Sequence, residues 1–162
     1  MALLGCSPDT ETVHRPGEPA VEFFESDDPQ MGAAIEGARA SLPAFQAKLA
    51  ELRAAGHYYS IKVPIEAGSD REHIWLEAPE IRDGQVHGKL GNSPLEGPHK
   101  LGDPVTVPIE HISDWMAIVN GELYGGYTVI VARERMSEED RASFDRSVDF
   151  KVPAQARELR AE

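Results

Sequence analysis

The sequence contains little of what several classes of protein depend on. It has one cysteine, which excludes an internal disulfide framework and a cysteine-based zinc cluster. Lys and Arg total 16 against 28 Asp and Glu, giving a formal net charge of −12, so nucleic acid and anionic membrane surfaces are poor partners. No run of 18 apolar residues occurs, so no transmembrane helix is expected. Aromatic residues make up only 7%.

The 162 residues that are present suit one folded domain with a long acidic leader. Hydrophobic residues are 41% and charged residues 27%, a globular balance. Residues 1–28 carry seven acids, one base and three prolines without apolar periodicity, which predicts a disordered acidic tail over 1–27. We therefore expect a domain over 28–135 and a C-terminal helical extension over 136–162.

The single cysteine stands in a suggestive place. Leu3-Leu4-Gly5-Cys6-Ser7 resembles the end of a bacterial lipoprotein signal peptide, in which the cysteine receives lipid. Only five residues precede Cys6, and Leu4 is larger than the pattern prefers. If the true start lies upstream, we expect lipidation at Cys6 and a periplasmic or outer-membrane lipoprotein tethered by the tail. Otherwise the protein is cytoplasmic and the cysteine is coincidental.

Periodicity predicts a helical N-terminal layer. Asp28 before Pro29 is a helix start, with an acidic N-cap and proline in the first turn. Pro43 interrupts the apolar stripe that follows, so we expect one kinked helix or two abutting helices over 29–54. The residues expected to be buried on this layer are Met31, Ile35, Leu42, Phe45 and Leu49.

From residue 57 onward the pattern changes to strands. Asp83-Gly84 and Asn120-Gly121 are type I′ hairpin signals, and Pro79 indicates a bulge or an edge. Ser137 opens a C-terminal helix with a capping box, and Phe144 and Val148 form its weak apolar face. The fold class is α+β: a kinked helix packed on a bent, mostly antiparallel sheet of five to six short strands, plus a C-terminal helix. Predicted strands cover residues 57–63, 73–77, 85–90, 105–107, 115–119 and 122–133, with Ile61, Val63, Ile74, Leu76, Val129 and Val131 facing the core.

A series of short motifs resembles the YegJ-like bacterial family, a domain of unknown function numbered 2314. The resemblance covers residues 27–134, and it implies a fold but no established activity. Some members of that family are exported or lipid-anchored, which favours lipidation of Cys6. The motifs are Asp28-Pro29-Gln30-Met31, Leu42-Pro43-Ala44-Phe45, Ile61-Lys62-Val63-Pro64, Glu72-His73-Ile74-Trp75-Leu76, Gly102-Asp103-Pro104-Val105-Thr106-Val107-Pro108, Ile112-Ser113-Asp114-Trp115-Met116 and Gly125-Gly126-Tyr127-Thr128.

Two segments offer side chains for a ligand site. His73 and Trp75 are two apart on a predicted strand, so they share one face, where Glu72 could tune the imidazole as a base. The competing interpretation is a packed tryptophan beside a histidine satisfied at the strand end. Lys62 could bind an anion or be a solvated charge.

The second segment centres on Asp114-Trp115. Asp114 either supplies a carboxylate to a site or pins a turn through backbone N–H groups. Gly125-Gly126 indicates a bulge or a close approach of backbone, and we expect room for a ligand beside it. The hypothesis is one cleft that contains His73 and Asp114, against the alternative that both tryptophans are core.

The sequence contains no motif for metal binding, nucleophilic catalysis or phosphate binding. The six histidines have no metal-ligand spacing, so neither a metal nor a cofactor is expected. No nucleophile elbow or phosphate-binding loop occurs. Three functions stay open: a non-catalytic binding or interaction module that takes a protein or small molecule, a small hydrolase-type enzyme using His73 with Glu72 or Asp114, and a structural or regulatory protein acting through a protein partner.

Overall fold

The computed structural model describes residues 12–13, 21–22, 28–68 and 70–160. Strands β1 (Thr12–Val13) and β2 (Val21–Glu22) pair antiparallel as a two-residue ladder. Cys6 and the rest of the predicted tail lie outside the described residues. Within the described part of the chain, no helix combines the length and the apolar character needed to cross a membrane.

Helix α1 (Pro29–Ala54) is a single helix that contains Pro43. The predicted start is confirmed, because Asp28 Oδ1 accepts hydrogen bonds from the backbone N–H groups of Gln30 and Met31 at 2.9 and 3.1 Å. These bonds satisfy two of the donors that a helix start leaves without intrahelical partners. Pro43 lies on the exposed side of the helix, so the buried stripe continues past it.

The six-stranded sheet confirms the predicted α+β fold class. Every neighbouring pair is antiparallel, and the strand order is β6-β5-β4-β3-β7-β8. The sheet is open, with β6 and β8 at its edges. Its strands are β3 (Tyr58–Ala67), β4 (Asp70–Arg82), β5 (Gln85–Leu90), β6 (Pro104–Pro108), β7 (Asp114–Val119) and β8 (Glu122–Gly125).

The turn signals are confirmed. Asp83 and Gly84, between β4 and β5, both have positive φ, at 52° and 71°. Asn120 and Gly121, between β7 and β8, have φ of 52° and 75°. Positive φ at both central residues is what a type I′ hairpin turn requires. The bulge predicted at Pro79 is also present, as a register shift on β4 between Glu77 and Glu80.

Strand β3 is longer than the sequence predicts. The expected end at Pro64 is wrong, since the strand continues to Ala67. Pairing with β7 stops at Lys62, so Pro64 is paired only with β4, opposite His73. Proline, which has no backbone N–H, is tolerated where a strand has one free side.

The core fills the space between α1 and one face of the sheet. Phe45 and the Trp115 ring stack with centroids 4.8 Å apart, and Trp115 Nε1 donates to the Ala38 carbonyl at 3.1 Å. Of the predicted α1 stripe, only Ile35 is half-buried rather than buried. The buried residues of this cluster are Ala38, Leu42, Phe45, Leu49, Leu52, Ile61, Val63, Ile65, Ile74, Leu76, Val86, Leu90, Val107, Ile112, Trp115 and Ala117.

The strand predicted through residue 133 is wrong: β8 ends at Gly125, and helix α2 (Tyr127–Arg135) follows. Gly125 and Gly126 both adopt left-handed backbone, with φ of 66° and 65°, which ends the strand and turns the chain. Val129 and Val131 are therefore half-buried helical residues rather than core strand residues. Their β-branched character favoured a strand, and tertiary contacts override that preference.

The chain ends with helix α3 (Glu138–Ser147) and a segment that covers the β8 edge. Ser137 caps α3 as predicted, with its Oγ accepting from the Asp140 N–H at 3.1 Å. Beyond α3, the β8 N–H groups of Leu123 and Gly125 donate to the carbonyls of Lys151 and Arg157 at 3.1 and 2.8 Å. At the other edge, β6 begins and ends with proline.

Candidate functional site

A groove lies between the sheet face that points away from α1 and the two C-terminal helices. Strands β3, β4 and β7 form its floor, and α2 and α3 form its opposite wall. Its volume is about 500 Å³, within the range typical of small-molecule sites. The groove is lined by Tyr58, Lys62, His73, Trp75, Glu77, Gly91, Asn92, Met116, Thr128, Val129, Ala132, Met136, Phe144, Ser147 and Val148.

Three of the predicted ligand-binding residues meet in this groove. Lys62 and Trp75 are directly opposite on β3 and β4, and His73 is two residues along β4 on the same face. Lys62 Nζ lies 5.5 Å from the centroid of the Trp75 ring, a cation–π contact. The same Nζ donates to Thr128 Oγ1 at 3.4 Å, which links the floor of the groove to α2.

The His73 ring is exposed on the groove surface and resists protonation. Surrounding protein displaces water from part of the ring, and the cations Lys62, Arg39 and Arg71 are nearby. These effects lower the pKa of His73 from 6.5 to about 4. At neutral pH the imidazole is therefore uncharged, with one ring nitrogen that donates and one that accepts.

Glu72 points away from the groove. Adjacent residues on a strand face opposite sides of a sheet, so Glu72 and His73 are separated by the backbone. The Glu72 side chain is buried, and its Oε1 accepts a hydrogen bond from the Leu95 N–H. The predicted pairing of Glu72 with His73 as base and carboxylate is not formed.

Asp114 is buried behind the groove, where it caps helix α2 from a neighbouring strand. Its Oδ1 accepts from the N–H groups of Trp115 and Tyr127 at 2.8 and 3.2 Å. Its Oδ2 accepts from the N–H and the hydroxyl of Thr128 at 2.7 and 2.6 Å. Burial raises the pKa of Asp114 to about 6, and the hydrogen bonds from Thr128 oppose that rise. The predicted cleft shared by His73 and Asp114 is therefore absent.

Trp115, Gly125 and Gly126 pack closely around the turn that leads into α2. Trp115 is fully buried, with its ring against α1 rather than in the groove. A Cβ on Gly125 would lie 2.2 Å from the Trp115 carbonyl oxygen, and one on Gly126 would lie 2.8 Å from Leu123 Cδ2. The expected space for a ligand beside Gly125-Gly126 is thus filled by protein.

Among the described residues, a second depression has a larger volume than the groove. A depression of about 770 Å³ lies beside the C-terminal end of α1 and residues 156–160. None of the residues singled out from the sequence lines it. Across the described ranges, no cluster of three or more His, Cys, Asp or Glu is arranged to hold a metal ion.

Several groove residues escaped the sequence analysis. Tyr58 lies outside the family motifs, and Met116 and Thr128 lie within them without being chosen as site residues. All three enter the groove through strand register and the cap on α2. Phe144 and Val148 are the exception, because they form the weak apolar face of the predicted C-terminal helix. That face was a usable signal, since an apolar pair on a charged helix needs a surface to cover.

Comparison with known proteins shows the family. The family model described as "Uncharacterized protein conserved in bacteria (DUF2314)" matches residues 28–152, and the chain belongs to this family. The match takes in the whole sheet, α1, α2 and α3, and therefore every wall of the groove. No solved structure matches the chain.

Two curated relatives each share 32% identity with the chain. "Putative ankyrin repeat protein" of Neisseria meningitidis serogroup B aligns over 150 residues, 86% of this chain and 59% of its own length. "Uncharacterized protein YegJ" of Escherichia coli K12 aligns over 72 residues, 44% of this chain and 47% of its own. The alignments thus span about half the length of these relatives.

Proposed function

We propose that this member of the DUF2314 family is a non-catalytic binding module whose ligand occupies the groove. One observation carries the proposal: Lys62, His73 and Trp75 converge in a cavity of about 500 Å³ that has polar and aromatic side chains on its floor. Methionine, valine and phenylalanine side chains stand on the facing wall. Recognition sites commonly combine an apolar enclosure with a few convergent polar groups.

The arrangement gives little support to the hydrolase alternative. A general base works best with a pKa near the operating pH, and the pKa of His73 is about 4. Both candidate carboxylates are buried elsewhere, Glu72 on the other sheet face and Asp114 in the cap on α2. His73 is therefore better suited to hydrogen bonding with a ligand than to proton transfer.

A partner protein is the second candidate occupant. The Neisseria relative is named for ankyrin repeats, which form extended surfaces for binding. Methionines such as Met116 and Met136 suit surfaces that adapt to a partner. The name belongs to that relative, so for this chain it supports only the general role of interaction.

The proposal is tested by filling the groove. Ala132→Arg places a long side chain against the floor, and Ala40→Arg, on the exposed side of α1, is the matched control. A fragment library is screened by ligand-observed NMR against the full chain and both variants, with melting curves as a check of folding. Fragments that bind the unmodified chain and Ala40→Arg but not Ala132→Arg support the proposal. The proposal is contradicted if fragments bind the unmodified chain and both variants equally, or if no fragment binds the unmodified chain.

Anchoring at the cell envelope is a separate proposal, supported by the sequence around Cys6. It predicts that the chain, with any upstream codons restored, is processed and lipidated at Cys6, which gives stable membrane attachment. The measurement is the mass and membrane fractionation of the protein with and without globomycin, beside a Cys6→Ser control. Unchanged mass and a cytosolic location in every sample would exclude anchoring.

A further inference from the structure

The groove has a cationic end and an acidic end. Lys62 and His73 lie at one end, with Arg39 and Arg71 close enough to disfavour protonation of the imidazole. Tyr58 and Glu77 lie at the other end, where the Tyr58 hydroxyl donates to Glu77 Oε1 at 3.3 Å. Glu77 pairs with Ser60 on β3 and with Lys89 on β5. Because Ser60 is two residues from Lys62, Glu77 lies about 7 Å along the sheet from the level of Lys62.

The facing wall of the groove is mainly apolar, with Thr128 and Ser147 as its polar members. Its apolar side chains come from α2, α3 and their flanking residues, and Met116 on the β7 floor adjoins them. Such a surface gains stability from covering with an apolar ligand, in proportion to the area removed from water. These apolar side chains are Met116, Val129, Ala132, Met136, Phe144 and Val148.

The polar groups at the cationic end suit a single negative charge. Lys62 supplies one ammonium group, which also donates to Thr128 Oγ1 and acts electrostatically on the buried Asp114. The Trp75 ring forms a flat surface beneath it, and neutral His73 supplies one further N–H. Among the described residues that line the groove, none is an arginine. A doubly charged phosphate is usually held by forked arginine contacts or by several cations, whereas a carboxylate is satisfied by fewer.

We infer that the groove binds a carboxylate attached to an apolar body, with the carboxylate at Lys62 and the apolar part along the α2–α3 wall. This inference rests on the proposed binding function and names the chemistry of the ligand. Lys62 fixes the orientation, because it is the only lysine or arginine among the described residues that line the groove. The same chemistry occurs in a short fatty acid and in the C-terminal end of a peptide with apolar last residues.

The test is isothermal titration calorimetry of the full chain with matched probes. Sodium octanoate is compared with 1-octanol, which keeps the apolar body and lacks the charge. N-acetyl-Val-Leu is compared as the free acid and as the C-terminal amide. The variants are Lys62→Met, which keeps the apolar stem, Lys62→Arg, which restores the charge, and, as control, Lys100→Met at an exposed lysine outside the groove.

An acid probe is expected to bind about tenfold more tightly than its uncharged partner, the effect of one charge-assisted hydrogen bond at a partly exposed site. This preference should disappear in Lys62→Met and persist in Lys62→Arg and Lys100→Met. If only octanoate shows the preference over its uncharged partner, the ligand is a small acid. If only the dipeptide acid shows it, the ligand is the C-terminal end of a peptide.

Other results overturn the inference in distinguishable ways. Equal binding of acids and uncharged probes, or a preference that Lys62→Met retains, refutes the carboxylate while leaving a groove that binds ligands. If no probe binds while fragments still bind in the groove, the carboxylate ligand class is refuted and the proposed binding function is not. No probe and no fragment in the groove refutes the binding function as well.

Discussion

Replacing Gly125 with alanine tests how the strand-to-helix turn beneath the groove is built. Gly125 has φ of 66°, a left-handed conformation that side chains with a Cβ disfavour. The added Cβ would lie 2.2 Å from the carbonyl oxygen and 2.6 Å from Cε3 of Trp115. Neither group can move freely, because the oxygen is backbone and the ring is stacked on Phe45.

Two costs add at this position. A residue with a Cβ in left-handed backbone costs about 1–2 kcal/mol. Forcing an extra methyl into packed surroundings costs about 1–3 kcal/mol. The free energy of unfolding should therefore fall by about 2–5 kcal/mol, a large part of the roughly 5–15 kcal/mol typical of a domain.

Two other glycines with left-handed backbone separate these costs. Gly121→Ala, with φ of 75° and no atom within 4 Å of its Cβ, carries the backbone cost alone. Gly126→Ala meets Leu123 Cδ2 at 2.8 Å, the end of a side chain that can shift. The expected order of destabilisation is Gly121→Ala, then Gly126→Ala, then Gly125→Ala.

The assay is urea unfolding followed by far-ultraviolet circular dichroism, which does not depend on the environment of Trp115. Midpoints are compared at constant m-value, so that a change in midpoint reports a change in stability. If Gly125→Ala destabilises no more than Gly121→Ala, the close approach to Trp115 does not hold this turn and the reasoning fails.

Three further predictions use the same unfolding measurement. Asp114→Asn should lower the free energy of unfolding by about 1–3 kcal/mol, because an amide nitrogen then faces backbone donors. Thr128→Val removes only one hydroxyl and should cost less. Equal costs for the two variants would contradict the role of Asp114 as the cap of α2. The pKa of His73 is about 4 in the folded chain and 6.5 in the unfolded chain, so the unfolded chain binds this proton first as pH falls. The contribution of His73 to the free energy of unfolding should therefore be constant above pH 6.5 and should fall as pH is lowered toward 4. If His73→Gln loses stability as steeply over this range, other groups cause the decline. Arg135 holds the pKa of Asp28 below its usual range, so Asp28→Asn should cost about 1 kcal/mol at pH 7 and less as pH falls below 4, with Arg135→Met adding little to it.

Local signals predicted the parts of the fold that local chemistry determines. Asp28 before Pro29 gave the start of α1, and the dipeptides at 83–84 and 120–121 gave both tight hairpins. The spacing of His73 and Trp75 gave their common face because side chains alternate along any strand. In each case the responsible contacts lie within a few residues in the sequence.

Helix α2 was not predictable in this way. Residues 128–131 are Thr, Val, Ile and Val, which favour a strand, and the carboxylate that caps the helix is Asp114, 14 residues before Thr128. The groove was missed for the same reason, since one of its walls exists only if residues 127–135 are helical. Asp114 was identified as important, but its role as a cap depends on a contact that periodicity does not report.

The segment after α3 has a consequence for solubility. An open sheet can join edge to edge with another copy, because its outer strands carry unpaired N–H and C=O groups. The β6 edge is short and bounded by Pro104 and Pro108, while the β8 edge is covered by hydrogen bonds from Leu123 and Gly125 to residues 151 and 157.

We therefore expect residues 151–157 to limit pairing between β8 and a second copy of the chain. A chain ending at residue 150 would release the N–H groups of Leu123 and Gly125 and leave β8 open along its length. Two such chains could pair through β8 into a continuous twelve-stranded sheet, while the full chain stays separate at that edge. Proteolysis near residue 150 would then expose an edge strand of the kind that favours dimers or aggregates.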